Sequence, residues 1–311
     1  MTATHKVVLL TGATGFIGRH AVEPLRARGY EIHAVSTRGA PADMPGVQFH
    51  QGNLLEPGTA RRVLAAVKPS HLLHLAWYVV PGKLITSPEN YEWVRASMEL
   101  VQEFAAAGGK RVTSCGSGYE YDWRYGFCNE QLTAQVPNTV YGACKQALNL
   151  MTENFAATAN LSSAWGRVFF LYGPHEHPQR LVSSIILSML RGEPAKSSHG
   201  RQIRDYMHVQ DVADGLVAVL DSELRGTVNV SSGRATQIRD IVLTLGSLLG
   251  RPELVQLGAL PARANDAPMV VGDNAKIMAE LGWQPKFELD SGLAHTIDWW
   301  KARQKDDREN S

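Results

Sequence analysis

The sequence predicts an α/β fold, a doubly wound parallel sheet followed by a smaller C-terminal cap. Three observations carry that expectation. Short continuous apolar runs alternate with helical segments up to about residue 170. A glycine-rich turn follows the first of these runs directly. Beyond Gly173 the alternation gives way to loops, with prolines at 174, 178 and 194.

The elements follow in order. Val7-Val8-Leu9-Leu10 is an unbroken apolar run closed by Gly12, the pattern of a strand buried on both faces. A helix is expected over 17–28, stopped by Gly29, with strands at 31–36 and 47–50. A helix over 58–67, a strand at 71–75, a long helix over 89–107 and a strand at 110–114 continue the pattern. From Tyr141 a helix runs to about 159, then a strand at 163–170 and a helix at 182–191. Strands alternating with helices imply a parallel sheet covered on both faces.

Composition narrows the function classes. A chain of 311 residues with 44% apolar content can bury a full core. A net charge of +1 gives no footing for nucleic-acid binding through counterion release. Cys115, Cys128 and Cys144 are an odd set without metal-ligand spacing, so neither a disulfide framework nor a metal site is expected, and a reducing cytoplasm fits. The first residues lack the pattern of a signal peptide, and no apolar run approaches the ~20 residues that cross a bilayer.

Thr11-Gly12-Ala13-Thr14-Gly15-Phe16-Ile17-Gly18 lies between the first strand and the first helix. Gly12 suits a tight turn, Gly15 close approach of a pyrophosphate, and Gly18 helix-on-strand packing. The helix N-terminus then offers free N–H groups to the phosphates. This is a Rossmann-like arrangement, and it places a dinucleotide on Gly12, Thr14, Gly15, Phe16, Ile17 and Gly18. The second strand ends in Ser36-Thr37-Arg38, where an acidic residue would select the ribose hydroxyl. Two hydroxyls and a guanidinium favour NADP(H). With Arg38 read instead as a solvated loop charge, NAD(H) stays open.

Tyr141-Gly142-Ala143-Cys144-Lys145 sets a phenol and an amine four residues apart, on one face of a helix. A neighbouring ammonium, together with the positive nicotinamide ring, is expected to favour phenolate and lower the phenol's pKa. Taken with the glycine turn, this spacing resembles the extended short-chain dehydrogenases/reductases, in particular the nucleotide-sugar epimerase/dehydratase branch. The resemblance extends through His74-Leu75-Ala76, Tyr172-Gly173-Pro174, Arg204-Asp205-Tyr206-Met207-His208-Val209, Asp211-Val212-Ala213 and Leu281-Gly282-Trp283-Gln284-Pro285.

The resemblance implies a catalytic Ser117, just after the fifth strand, acting with Tyr141 and Lys145. It also implies cofactor contacts at Asn53, Leu54, Leu75 and Ala76, and with Tyr141 and Lys145 themselves. Residues 1–172, with a return segment at 204–232, would form the dinucleotide-binding domain. Residues 173–203 and 233–311 would form the substrate-binding cap. Arg204 and Arg263 are expected at the diphosphate of a nucleoside-diphosphate sugar, Tyr119 and His175 at the sugar. Each has a plainer reading: a salt bridge with Asp205 for Arg204, a loop charge for Arg263, a polar loop for His175. A homodimer through the helices at 89–107 and 141–159 is expected from relatives.

The sequence also departs from the family. Sugar 4,6-dehydratases carry acidic residues directly after the Ser/Thr, whereas Gly118 and Tyr119 stand there and Glu120 is displaced by one place. Phe170 and Leu171 precede Tyr-Gly-Pro where an Asn is usual, and Val94 stands near the usual Asn of the central helix. The expected reaction is 4-keto reduction of a deoxysugar nucleotide. A 4-epimerase with tightly held NAD is the alternative, and a non-catalytic dinucleotide sensor the third reading.

Overall fold

The computed structural model describes residues 6–262, 264 and 266–309. Strands β1 (Lys6–Thr11), β2 (Tyr30–Ser36), β3 (Val47–Gln51), β4 (His71–His74) and β5 (Arg111–Ser117) alternate with helices α1 (Phe16–Ala27), α2 (Thr59–Val67) and α3 (Glu89–Ala106). After β6 (Phe127–Cys128) come α4 (Val140–Thr158), β7 (Ser162–Val168), β8 (Phe170–Tyr172), α5 (Leu181–Leu190), β9 (Ala195–Lys196), β10 (Ile203–Arg204), β11 (Tyr206–His208), α6 (Val209–Leu220) and β12 (Gly226–Val230). The chain closes with β13 (Thr236–Gln237), α7 (Ile238–Leu248), β14 (Val255–Gln256), β15 (Met269–Gly272), α8 (Ala275–Leu281) and α9 (Leu289–Glu309).

The central sheet has seven strands in the order β12-β7-β5-β4-β1-β2-β3, all paired in parallel. The order reverses beside β1, which opens a crevice at the carboxyl ends of the strands, where ligands bind in open α/β sheets. Ala21, Val22 and Leu25 of α1 share one core with Val212, Leu216 and Leu220 of α6. Val63 and Leu64 of α2 pack with Leu100, Val101 and Phe104 of α3 on another. A separate core joins α5, α7 and α9 through Ile186, Ile241, Leu245 and Leu293. Among the described residues three smaller sheets complete the fold, one of them β13-β10-β15-β6.

Two elements differ from expectation. The fifth strand runs on to Ser117, so that serine ends the strand rather than following it. The strand expected at 163–170 breaks at Phe169. β7 pairs with β12 only as far as Val168, and Phe170–Tyr172 turns away to pair with β11. No helix among the described residues is long and apolar enough to cross a membrane.

Candidate active site

The turn between β1 and α1 is held by backbone alone. Gly12 has φ +70°, and a side chain on Gly18 would lie 2.0 Å from the Gly12 carbonyl oxygen, so the helix can approach the turn only as glycine. Thr14 and Gly15 are exposed, Phe16 and Ile17 half-buried. Gly15 caps α1 with no side-chain hydrogen bond, and the first turn carries no acidic residue. Those free N–H donors at a positive helix end fit a pyrophosphate. The opposite wall is tied to β1, because the Thr11 hydroxyl accepts from the N–H groups of Leu75 and Ala76, each at 3.1 Å. Asn53 turns the chain by accepting from Leu55 N–H at 3.1 Å, which buries Leu54 beside it. At the end of β2 the Ser36 hydroxyl accepts from Arg38 N–H, leaving Thr37 and the Arg38 side chain exposed.

Ser117, Tyr141 and Lys145 come together at the carboxyl end of β5. Thr139 caps α4 by accepting from Gly142 N–H at 3.0 Å. A side chain on Gly142 would meet the Tyr119 carbonyl oxygen at 2.2 Å, so this glycine lets α4 press onto the turn after Ser117. Tyr141 is hydrogen-bonded to Ser117. Lys145 Nζ donates to the Cys115 carbonyl at 2.9 Å and lies 6.0 Å from the Tyr141 ring centre. Burial raises the Tyr141 phenol, with the Cys115 thiol adding to it and the Ser117 hydrogen bond opposing. Burial also lowers the Lys145 amine to about 8. In the protein alone desolvation is the largest influence on the phenol; the lowering expected from the ammonium together with a nicotinamide ring concerns the cofactor-bound state.

Glu120 lies under this group, and none of its side chain is exposed. Its Oε1 accepts from Ser117 N–H at 2.7 Å and from the Trp165 indole at 3.0 Å. Its Oε2 accepts from Arg167 Nε at 2.7 Å, in an ion pair with no exposed side-chain surface on either partner. Arg167 continues to Gln135 and, at 3.0 Å, to Gln146 of α4. This carboxylate is a strut between β5, β7 and α4, with both oxygens in use.

On the outer side, Tyr119 packs 5.7 Å from Tyr141 and 4.4 Å from Trp123, and Trp123 packs on Phe170. Arg204 is buried, stacks 5.4 Å from Phe170 and pairs with Asp266 at 2.6 Å. Its partner is thus not the neighbouring Asp205, whose carboxylate accepts from Ser232 and Gly233. Arg263 lies outside the described residues. His175, at φ +67°, packs between His20 of α1 and Trp299 of α9. Burial and then Arg19 lower its imidazole to about 4, so it is neutral at pH 7. Burial pushes the Cys115 thiol up to about 11, which suits a small buried residue better than a nucleophile. Among the described residues no group of histidine, cysteine and carboxylate side chains could hold a metal.

Residues 8–231 match the NAD dependent epimerase/dehydratase family. The chain belongs to that family. A dTDP-glucose 4,6-dehydratase of Xanthomonas campestris is 26% identical over 327 aligned positions, covering 95% of this chain and 93% of that protein. A UDP-glucose 4-epimerase of Neisseria meningitidis serogroup B is 25% identical, covering 94% and 97%. MoeE5, solved with UDP-glucuronic acid and NAD, is 31% identical and superposes with a TM-score of 0.80, covering 95% and 99%. The architecture of this family member is that of the extended short-chain dehydrogenases/reductases.

Against that family, sequence reading missed the Glu120–Arg167 strut and the contact of the Trp77 indole with Lys145; Trp77 itself is expected beside the site, as a loop aromatic stacking on sugar or base or packing the cap. A charged Arg167 inside an otherwise apolar buried strand was the available signal for the first. For the second, the Trp directly after His74-Leu75-Ala76 was on view, but nothing in its spacing pointed to Lys145.

Proposed function

We propose that this family member is a nucleotide-sugar 4-epimerase, working on C4 of a nucleoside-diphosphate sugar through Ser117, Tyr141 and Lys145. The carrying observation is the contrast between that group and Glu120. Tyr141 and Ser117 share a hydrogen bond at the carboxyl end of β5, while the nearest carboxylate after Ser117 has both oxygens committed to Ser117, Trp165 and Arg167. A dehydratase needs a free carboxyl group there to eliminate water, and Gly118 and Tyr119 supply none.

When held on the glycine cradle, a nicotinamide dinucleotide would supply hydride acceptance and return at C4. Tyr141 takes the C4 hydroxyl proton and gives it back, and Ser117 holds the sugar oxygen toward it. Lys145 adds the positive charge that lets a buried phenol ionise. Arg204 and Arg263 are assigned to the diphosphate, Tyr119 and His175 to the sugar side. Residues 173–203 and 233–311 are assigned to the substrate half and the rest to the dinucleotide half. Tyr91 of α3 and Leu150 and Met151 of α4 are exposed apolar residues, and they support a dimer through those helices.

One observation favours the second reading, 4-keto reduction with NADPH: Ser36-Thr37-Arg38 at the end of β2 can receive a 2′-phosphate. The two are separated by denaturing the purified protein and identifying the released dinucleotide, then following UDP-glucose, UDP-glucuronic acid and dTDP-glucose by NMR. Retained NAD and interconversion of C4 epimers support epimerisation. Stoichiometric NADPH consumption with a 4-keto sugar supports reduction. Tyr141→Phe should lower turnover by about two or more orders of magnitude while dinucleotide binding persists. Unchanged turnover would remove the assigned chemistry.

A further inference from the structure

Trp77 follows the His74-Leu75-Ala76 wall of the cradle and turns its ring into the site. The Lys145 ammonium sits 3.6 Å from the centre of that indole. The same ring meets Tyr141 edge-on at 6.4 Å and lies tilted at 6.2 Å from Trp93. Its rotation is fixed from behind. The indole N–H donates to Asn90 Oδ1 at 2.8 Å, and the Asn90 amide donates to the carbonyls of Leu84 and Ser87, each at 2.8 Å. Asn90 is wholly buried at the start of α3, and Tyr141 N–H reaches the Ile85 carbonyl of the same loop. Loop 84–90, Trp77 and the two site residues are therefore one packed unit.

We infer that Trp77 is a positioning residue for the Tyr141–Lys145 pair, its ring face holding the Lys145 ammonium and Asn90 fixing the ring. This rests on the pair being the acid–base group proposed above. An amine drawn toward neutrality by burial needs a favourable surface for its charged form, and an aromatic face in a desolvated site supplies one. The Cys115 carbonyl meets one of its three N–H donors, and the indole covers a second direction. The other ionisable groups about Lys145 are the Cys115 and Cys144 thiols, the Glu120 carboxylate and His74. Burial lowers His74 to about 3, so it adds no charge at neutral pH.

The test reads the lysine itself in the cofactor-depleted protein, by NMR titration of ε-13C-labelled lysine. The Lys145 resonance is assigned by its loss in Lys145→Gln. Trp77→Leu should lower the titration midpoint by about one pH unit, a tenfold change in the amine-to-ammonium ratio. Trp77→Phe, which keeps an aromatic face, should hold it near the wild-type value. Replacing all seven tryptophans with tetrafluorotryptophan weakens the negative face of Trp77 at 3.6 Å, and of Trp165 at 6.0 Å from the Lys145 ammonium, at nearly constant shape, and should also lower the midpoint even if Trp77→Leu fails to fold. A midpoint unmoved in folded Trp77→Leu, or in the fluorinated protein, overturns the inference. A midpoint that moves while Tyr141→Phe keeps full turnover upholds the contact and overturns its catalytic meaning.

Discussion

Replacing Glu120 by Gln tests the strut with little change of shape. Both carboxylate oxygens accept: one from Ser117 N–H and the Trp165 indole, the other from Arg167 Nε and the same indole. An amide must turn its NH2 toward either Arg167 or Ser117, placing donor against donor. Arg167 then keeps its charge with none of its side chain exposed. Breaking a buried ion pair by removing one partner costs about 3–5 kcal/mol. At roughly 2 °C per kcal/mol for a chain of this size, the Tm should fall about 6–10 °C in a thermal melt followed by circular dichroism. The double variant Glu120→Leu with Arg167→Met should lose less than the sum of the two singles, because no unpaired charge remains. A Glu120→Gln protein melting within 2 °C of wild type would refute the structural reading. A wild-type melt joined to lost dehydration of a dTDP-sugar would return Glu120 to an acid–base role.

Two other perturbations follow from the same geometry. Burial raises Glu176 to about 7 against an ordinary 4.5, with Ser183 hydrogen bonds opposing. For an acid raised on folding, stability is complete below pH ~4.5 and is lost as pH climbs toward 7. Glu176→Gln should therefore gain stability over wild type progressively between pH 5 and 8, by up to ~3 kcal/mol in denaturant melts, and a pH-independent difference would contradict this. Arg38→Ala should weaken NADP binding about tenfold in calorimetry and leave NAD binding unchanged. Equal loss for both cofactors would exclude a 2′-phosphate contact.

Much of the central sheet and of the glycine turn was legible because its physics is local. A run such as Val7 to Leu10 reads as a buried strand wherever it stands, Gly12 is marked by the left-handed turn it makes at φ +70°, and Gly18 is required by the Gly12–Ala13 backbone only a few residues away. Tyr141 and Lys145 share a helix face, so their proximity follows from spacing alone. What escaped sequence reading is what folding brings from a distance. Glu120 and Arg167 lie on different elements and neither carries a local mark of the other. Arg204 has an acidic neighbour at Asp205, the obvious partner by sequence, yet pairs with Asp266 because β10 lies beside β15 and Asp205 is taken by Ser232 and Gly233. For Tyr141 and Lys145, spacing reports the neighbouring charge but not the burial of both groups, and burial is the larger influence.

Two of the buried cations share a design that bears on the proposed reaction. Lys145 and Arg204 are both held by acceptors from the chain itself: the Cys115 carbonyl and Trp77 face for one, the Asp266 carboxylate and Ile203 carbonyl for the other. A long side chain free in solvent loses about 0.5–1.5 kcal/mol of rotamer freedom when a ligand immobilises it. Here folding has already spent that freedom. On the proposed reading, ribose hydroxyls and phosphate oxygens exchange with or join acceptors that are in place, and neither cation is ever buried unpaired. The strength of ligand binding is then set by how far Asp266 must yield to phosphate, a competition between two anions for one guanidinium.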